Sequence, residues 1–216
     1  MGDLTIICLT NSRKPGGRCV AGLDFSKTGE WIRPVRRGGG AVTIGDISYI
    51  SGHPAKVLDI IKIPVIEREP LYYQPENWVI DIKKYWEKKG KFSAEELENF
   101  CGKEEYIFCN SSDRLSVEQC QSNVDSSLTL VKLNKIMFEK KEKPHGSGTQ
   151  IRAHFKYKKH WYNLVVTDVE WEQGFNKKEN GCHEYEGVFY LVISLGELLE
   201  TTNSHFKLVA SVIIMS

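Results

Sequence analysis

Short apolar runs broken by glycine and proline set the rhythm of the first third of the chain. Residues 4–9 are almost continuously apolar, and 18–25, 31–35 and 46–51 follow as short segments. Residues 57–65 are rich in isoleucine and valine, which strand interiors favour. Glycines at 16, 17, 22, 29, 38, 39, 40, 45 and 52 separate these runs. The pattern predicts strands of a small barrel or sandwich, since no helical periods alternate with them as a parallel α/β sheet requires.

Between 70 and 125 the character changes. Residues 83–89 set Tyr85 and Trp86 among lysines, and Ser93-Ala-Glu-Glu carries the capping-box signature, predicting a helix that ends near Gly102. Residues 110–113 and 122–127 are polar and turn-rich. The stretch reads as a partly helical connection, or an insertion, between two β units.

Strands return at 128. Residues 128–138 are long and mostly apolar, and 140–148 form a charged loop with Pro144. Residues 150–157 alternate, with Ile151, Ala153, Phe155 and Tyr157 on one face and Arg152, His154 and Lys156 on the other. Lys158-Lys159-His160 makes a basic hairpin tip, 161–168 return, and 173–181 read as a polar loop. Residues 188–194 and 206–214 are β-branched strands, with a helical turn near 197–199. No fixed-period repeat is visible. The expected architecture is mainly β (β-rich α+β): a first barrel module over 1–69, a partly helical connector over 70–125 and a second module over 126–216. Segments 4–9 and 207–214 are apolar enough to need cover on both faces, so the modules are expected to pack as one unit. Trp78, Tyr85, Trp86, Phe92, Leu97 and Phe100 would lie at the junction.

Apolar content of 41% and charged content of 26% are ordinary for a globular protein. No apolar run approaches the roughly 20 residues that span a bilayer, and the N-terminus lacks a signal-peptide pattern. A cytoplasmic location without membrane partners is expected. The six cysteines include no Cys-x-x-Cys pair, so reduced thiols are expected, with no metal and no cofactor; Cys101, Cys109 and Cys120 are the remaining conceivable ligand set. No metalloprotease His pair and no nucleophile elbow occur. In Cys182-His183-Glu184, neighbours on an extended chain point apart and cannot pair directly.

The formal charge of +1 hides a local excess. Residues 1–45 hold Arg13, Lys14, Arg18, Lys27, Arg33, Arg36 and Arg37 against Asp3, Asp24 and Glu30, a local net of +4. Arginine forks suit phosphates and stack on bases. Pro15-Gly16-Gly17 is by itself a turn, yet glycines flanked by Arg13, Lys14 and Arg18 also let backbone amides approach a phosphate. Arg33 shares a face with Trp31 by period two, so it either pairs with a buried carboxylate or meets a ligand. Arg36 and Arg37, before three glycines, read as exposed phosphate contacts. Gln74 and Asn77 flank Glu76 and can read base edges, or form a polar turn. Lys156 and Tyr157 join the candidates because aromatic and basic residues interleave there. Asp168 ends a strand, as a mouth residue or a capped turn.

Several segments carry a family resemblance: Asn-Ser-Arg-Lys-Pro-Gly-Gly-Arg-Cys-Val-Ala-Gly at 11–22, Gly-Glu-Trp-Ile-Arg-Pro-Val at 29–35 and Gln-Pro-Glu-Asn at 74–77. Tyr-Asn-Leu-Val-Val-Thr-Asp at 162–168, Ser-Leu-Gly-Glu at 194–197 and Lys-Leu-Val-Ala at 207–210 extend it over nearly the full length. They resemble a bacterial family described as carrying a dual OB-fold-containing domain. The resemblance implies two OB-like barrels and a role in nucleic-acid or nucleotide recognition in conflict and defence settings. OB barrels bind oligonucleotides on a strand face and its loops, so the expected function is a non-enzymatic module. Its partner would be single-stranded nucleic acid or a nucleotide, held through the basic opening segment. The alternatives are an enzyme acting on a nucleotide or base through Asp168, Glu76 and Cys19, and an adaptor that docks a protein effector through an exposed apolar patch. Oligomeric state is open.

Overall fold

The computed structural model describes residues 2–26, 29–143 and 147–215; Lys27 and the 144–146 part of the expected loop lie outside them. The chain divides into two compact units, Met1–Phe100 and Cys101–Ser216. No helix among the described residues is long and apolar enough to cross a membrane.

The first unit holds β1 (Gly2–Lys14), β2 (Gly17–Asp24), β3 (Trp31–Val35), β4 (Asp59–Arg68), β5 (Asn77–Ile80) and β6 (Glu87–Lys91). Five of them run in the order β1-β2-β3-β5-β4, and β4 pairs back onto β1 to close a barrel. Every neighbour in that ring is antiparallel except β3 and β5. β6 adds outside the ring, on β4. Alternation sends Ile6, Cys8, Val20, Ile32, Ile61 and Ile63 into one core, joined by Trp86 and flanked by Trp78. At Gly22 the β1 backbone comes so close that an added Cβ would lie 2.0 Å from the Ile7 carbonyl oxygen, beside the register shift between Cys8 and Thr10.

The second unit holds β7 (Arg114–Ser116), α1 (Val117–Asn123), β8 (Leu128–Glu142), β9 (Thr149–Tyr157), β10 (His160–Val166), α2 (Val169–Phe175), β11 (Gly181–Leu199) and β12 (Ser204–Ile214). β10-β9-β8-β11-β12 lie side by side, and a two-pair parallel bridge between β10 and β12 closes them. Counted from β8, this is the order of the first barrel with the same single parallel seam. Two Greek-key barrels of one topology therefore sit in a chain whose sequence shows no repeat. The second core gathers Phe138, Phe155, Tyr162, Leu164, Leu191 and Val209.

The barrels differ between their third and fourth strands. The second inserts α2, whose Trp171 and Phe175, four residues apart, pack on Phe138 at ring distances of 4.6 and 5.7 Å. The first inserts the irregular stretch 36–58, which contributes Val42, Ile47, Tyr49 and Ala55 to the core.

Several expectations are corrected. Residues 46–51 form turns and isolated bridges instead of a strand. Thr43 and Asp46 exchange side-chain-to-backbone hydrogen bonds of 2.7 and 3.2 Å, which compete with strand pairing. The Ser93 signature yields a short 3-10 segment, Ala94–Phe100, in which only Leu97 is buried, too little apolar face for a longer helix. The turn at 197–199 is strand, because β11 continues to pair with Ser204 and His205. Part of the loop at 173–181 is helix, capped by Asp168. The stretch 70–125 is divided between the units: β5 and β6 belong to the first sheet and β7 to the second, where α1 follows with a full capping box between Ser116 and Gln119.

Candidate nucleic-acid interface

In the basic opening segment, β1 and β2 form a hairpin that sets Arg13 opposite Arg18 and Lys14 opposite Gly17. Facing like charges cost stability. Lys14 Nζ donates to the Gly39 carbonyl at 2.7 Å, and the Arg18 and Val42 backbones exchange bonds of 2.7 and 3.1 Å. Gly38 and Gly39 adopt φ of 72° and 69°, and both N–H groups donate to Glu69 Oε2 at 2.7 and 3.2 Å. This is an anion nest filled by the protein's own carboxylate. Arg36 grips Asp46 with two bonds of 2.7 and 2.9 Å, and Arg37 meets Glu67 at 2.6 Å. The Asp46 bond holds Arg36 above its ordinary pKa; burial pushes Asp46 up, but the bonds from Arg36 and Thr43 outweigh it and hold it low. Arg36 and Arg37, part of the excess counted over residues 1–45, thus face acids supplied from 46 onward.

Arg33 is 2% exposed, donates from Nε to Glu76 Oε1 at 2.9 Å and reaches Cys19 Sγ with its other arm. Burial pulls its pKa down, but Cys19 and Glu76 outweigh that and hold it above its ordinary value. This is the buried carboxylate pair of the two sequence readings. Gln74 and Asn77 are also buried, and Gln74 Oε1 and both amide atoms of Asn77 lack a hydrogen-bond partner. Trp31 is half-buried opposite Leu23.

β9 and β10 present a different surface. Inward positions Phe155, Tyr157, Tyr162 and Leu164 fill the core, which turns Arg152, His154, Lys156, Trp161 and Asn163 outward. Tyr157 is buried, and its hydroxyl donates to the Gly102 carbonyl at 2.9 Å; it offers no stacking face to solvent. The exposed aromatic is Trp161, 70% accessible and directly opposite Lys156. The hairpin register would have found it: once Tyr157 is inward and pairs near the tip, Trp161 falls on the lysine face. Arg152 bonds Asn163 at 2.5 and 2.6 Å. Glu139 joins this face from β8 and is held below its ordinary pKa by Lys141, against burial, and by His154. At the tip, Lys158 has φ 54°, a left-handed conformation that turns usually assign to Asn or Gly. Lys156, Lys158 and Lys159 have no carboxylate partner among the described residues.

Asp168 is the cap of α2. Its oxygens accept from the Trp171 and Val212 N–H groups at 3.1 and 2.8 Å, and burial raises its pKa. A residue not anticipated is Lys207, 1% exposed on β12. It donates to the Asn110 carbonyl and side-chain oxygen at 2.7 and 2.8 Å, and burial pulls it down to about 8. No cluster of three or more His, Cys, Asp or Glu residues suited to a metal occurs among the described residues.

Two closed five-stranded barrels of one Greek-key order define a tandem OB-barrel protein. A family model described as a dual OB-containing domain matches residues 4–212, and the chain belongs to that family. No curated protein and no solved structure matches it.

Proposed function

We propose that the protein binds single-stranded nucleic acid across the outer face of β9 and β10, with Trp161 as the stacking platform and Lys156, Lys158 and Lys159 on phosphates. The observation that carries this reading is the exposure of Trp161 opposite Lys156, on the strand pair that OB barrels use for oligonucleotides. A single strand is favoured over a duplex because a stacking side chain needs an unpaired base face. The left-handed Lys158 supports it as well: a charge is kept where Gly would cost less.

Fluorescence anisotropy with labelled dT15 and rU15 tests the reading. Trp161→Ala should weaken binding by about five- to a hundredfold, the worth of one stacked base. Replacing Lys156, Lys158 and Lys159 with alanine should flatten the salt dependence by about two units of slope, near 0.7 per lost phosphate contact. Unchanged affinity and slope in folded variants would sink the proposal. A second reading places phosphates at the β1–β2 tip, on the facing Arg13 and Arg18 with Lys14. The alanine triple variant there separates the two, since only one of the triples should flatten the salt slope.

A further inference from the structure

We infer that the second barrel also carries a base pocket, adjoining that face, which accepts guanine from the bound strand; the inference rests on the proposed reading. A cavity of about 410 Å³ opens in this unit, lined among others by Glu104, Tyr106, Phe108, Asp125, Thr129 and Tyr157. It falls in the size range of small-ligand pockets, large enough for one nucleoside. Its wall is tied to the proposed strand path. Tyr106 stacks on His160 with ring centres 4.3 Å apart, and His160 immediately precedes Trp161 on β10.

The wall is also fixed in place. Gly102 N–H donates to the Leu130 carbonyl at 2.8 Å, its own carbonyl accepts from Tyr157, and Ile107 N–H donates to the Tyr162 hydroxyl at 3.1 Å. A preformed site loses less freedom on binding.

The lining contains aromatic rings and two acids, Glu104 and Asp125, and neither lysine nor arginine. Phosphate is therefore repelled from the cavity and left to the lysines outside. A carboxylate only accepts hydrogen bonds, through two oxygens side by side. Among the bases, guanine presents adjacent donors, N1–H and the N2 amino group, that match those oxygens. Adenine and cytosine offer one amino group beside an acceptor, and thymine or uracil one donor between two carbonyls that a carboxylate repels.

The test uses the full chain with dT15 and with the same oligomer carrying one central guanine, adenine or cytosine. The guanine oligomer should bind about tenfold tighter than dT15. Glu104→Gln with Asp125→Asn should bring the ratio of the two affinities back to about one, any gain from the two lost charges being common to both oligomers. Both acids are exposed, so the isosteric amides keep the fold. Binding of dT15 without a guanine gain, or a gain that survives both substitutions, would overturn the pocket and leave the face standing. Guanosine alone, followed by NMR shifts of the Tyr106 and Phe108 rings, is the second measurement. Shifts that vanish in the double variant support the pocket even where dT15 fails to bind, which would overturn the face; no shifts overturn the pocket.

Discussion

On β2 and β3, the side chains turned away from the barrel core include Ala21, Leu23, Arg33 and Val35, none more than 2% exposed, beside the half-buried Cys19 and Trp31. On β9 and β10, the same positions of an identically wound barrel carry Arg152, His154, Lys156, Trp161 and Asn163, with Trp161 mostly in solvent. One topology thus supports a sealed, internally neutralised surface and an open basic one. Binding capacity belongs to the side chains that a strand face displays, not to the barrel. Buried cations divide the same way. Arg33 sits against a carboxylate, whereas Lys207 sits against the neutral oxygens of Asn110.

The sharpest break of this comparison is Arg33→Ala. It leaves Glu76, 4% exposed, as a buried charge without its guanidinium, and should cost about 3–5 kcal/mol in urea unfolding. Oligonucleotide affinity measured below the melting transition should not change; a loss of affinity with stability retained would reassign Arg33 to the ligand.

Lys207 gives the next effect, through pH. Its folded pKa of about 8 lies below its ordinary 10.5, so above pH 8 the unfolded chain holds more protons than the folded one. Stability from this group is therefore fully present above about 10.5 and is lost as pH falls through 8. Wild type should gain about 3 kcal/mol relative to Lys207→Met across that window, measured as the difference between their unfolding free energies. Parallel pH profiles would show that Lys207 keeps its ordinary pKa in the folded state, protonated and solvated.

Lys158→Gly should raise stability by about 0.5–1 kcal/mol by relieving the left-handed backbone, while weakening oligonucleotide binding. If it stabilises and binds as well as wild type, the lysine has no role at the tip. Arg37→Ala should do least, below about 0.5 kcal/mol, because its pair with Glu67 is exposed on both sides.

Much of this organisation is legible in the sequence, and the illegible parts have identifiable causes. The alternation of 150–157 fixes which side chains face the core, and Trp31 to Val35 is a strand as its pattern predicts. Two barrel modules are legible from the β-rich, partly helical, β-rich order and the family resemblance. Their shared strand order is not, because it is set by long-range pairing and the 3–4 interval is a helix in one unit and irregular in the other. The fate of the opening arginines is hidden for a related reason. Asp46, Glu67, Glu69 and Glu76 are distant in sequence, and only closure of the barrel brings them to Arg36, Arg37, the Gly38–Gly39 amides and Arg33. The Asp168 cap is legible in Asp followed by an apolar pair four residues apart, and the Ser116-Val-Glu-Gln119 box carries the same signature as Ser93-Ala-Glu-Glu.

The carboxylate of Glu69 on the Gly38 and Gly39 amides has a bearing on what that loop can discriminate. It is a resident competitor, held against the amides by the fold of the barrel, so its contact carries no cost of association. A free phosphate at micromolar levels would rarely displace it, whereas a polyanion anchored elsewhere on the protein would arrive with a high local concentration of its own. An anion reaches these amides only by displacing Glu69, so a ligand already held by a second point of attachment is the kind that could compete for them.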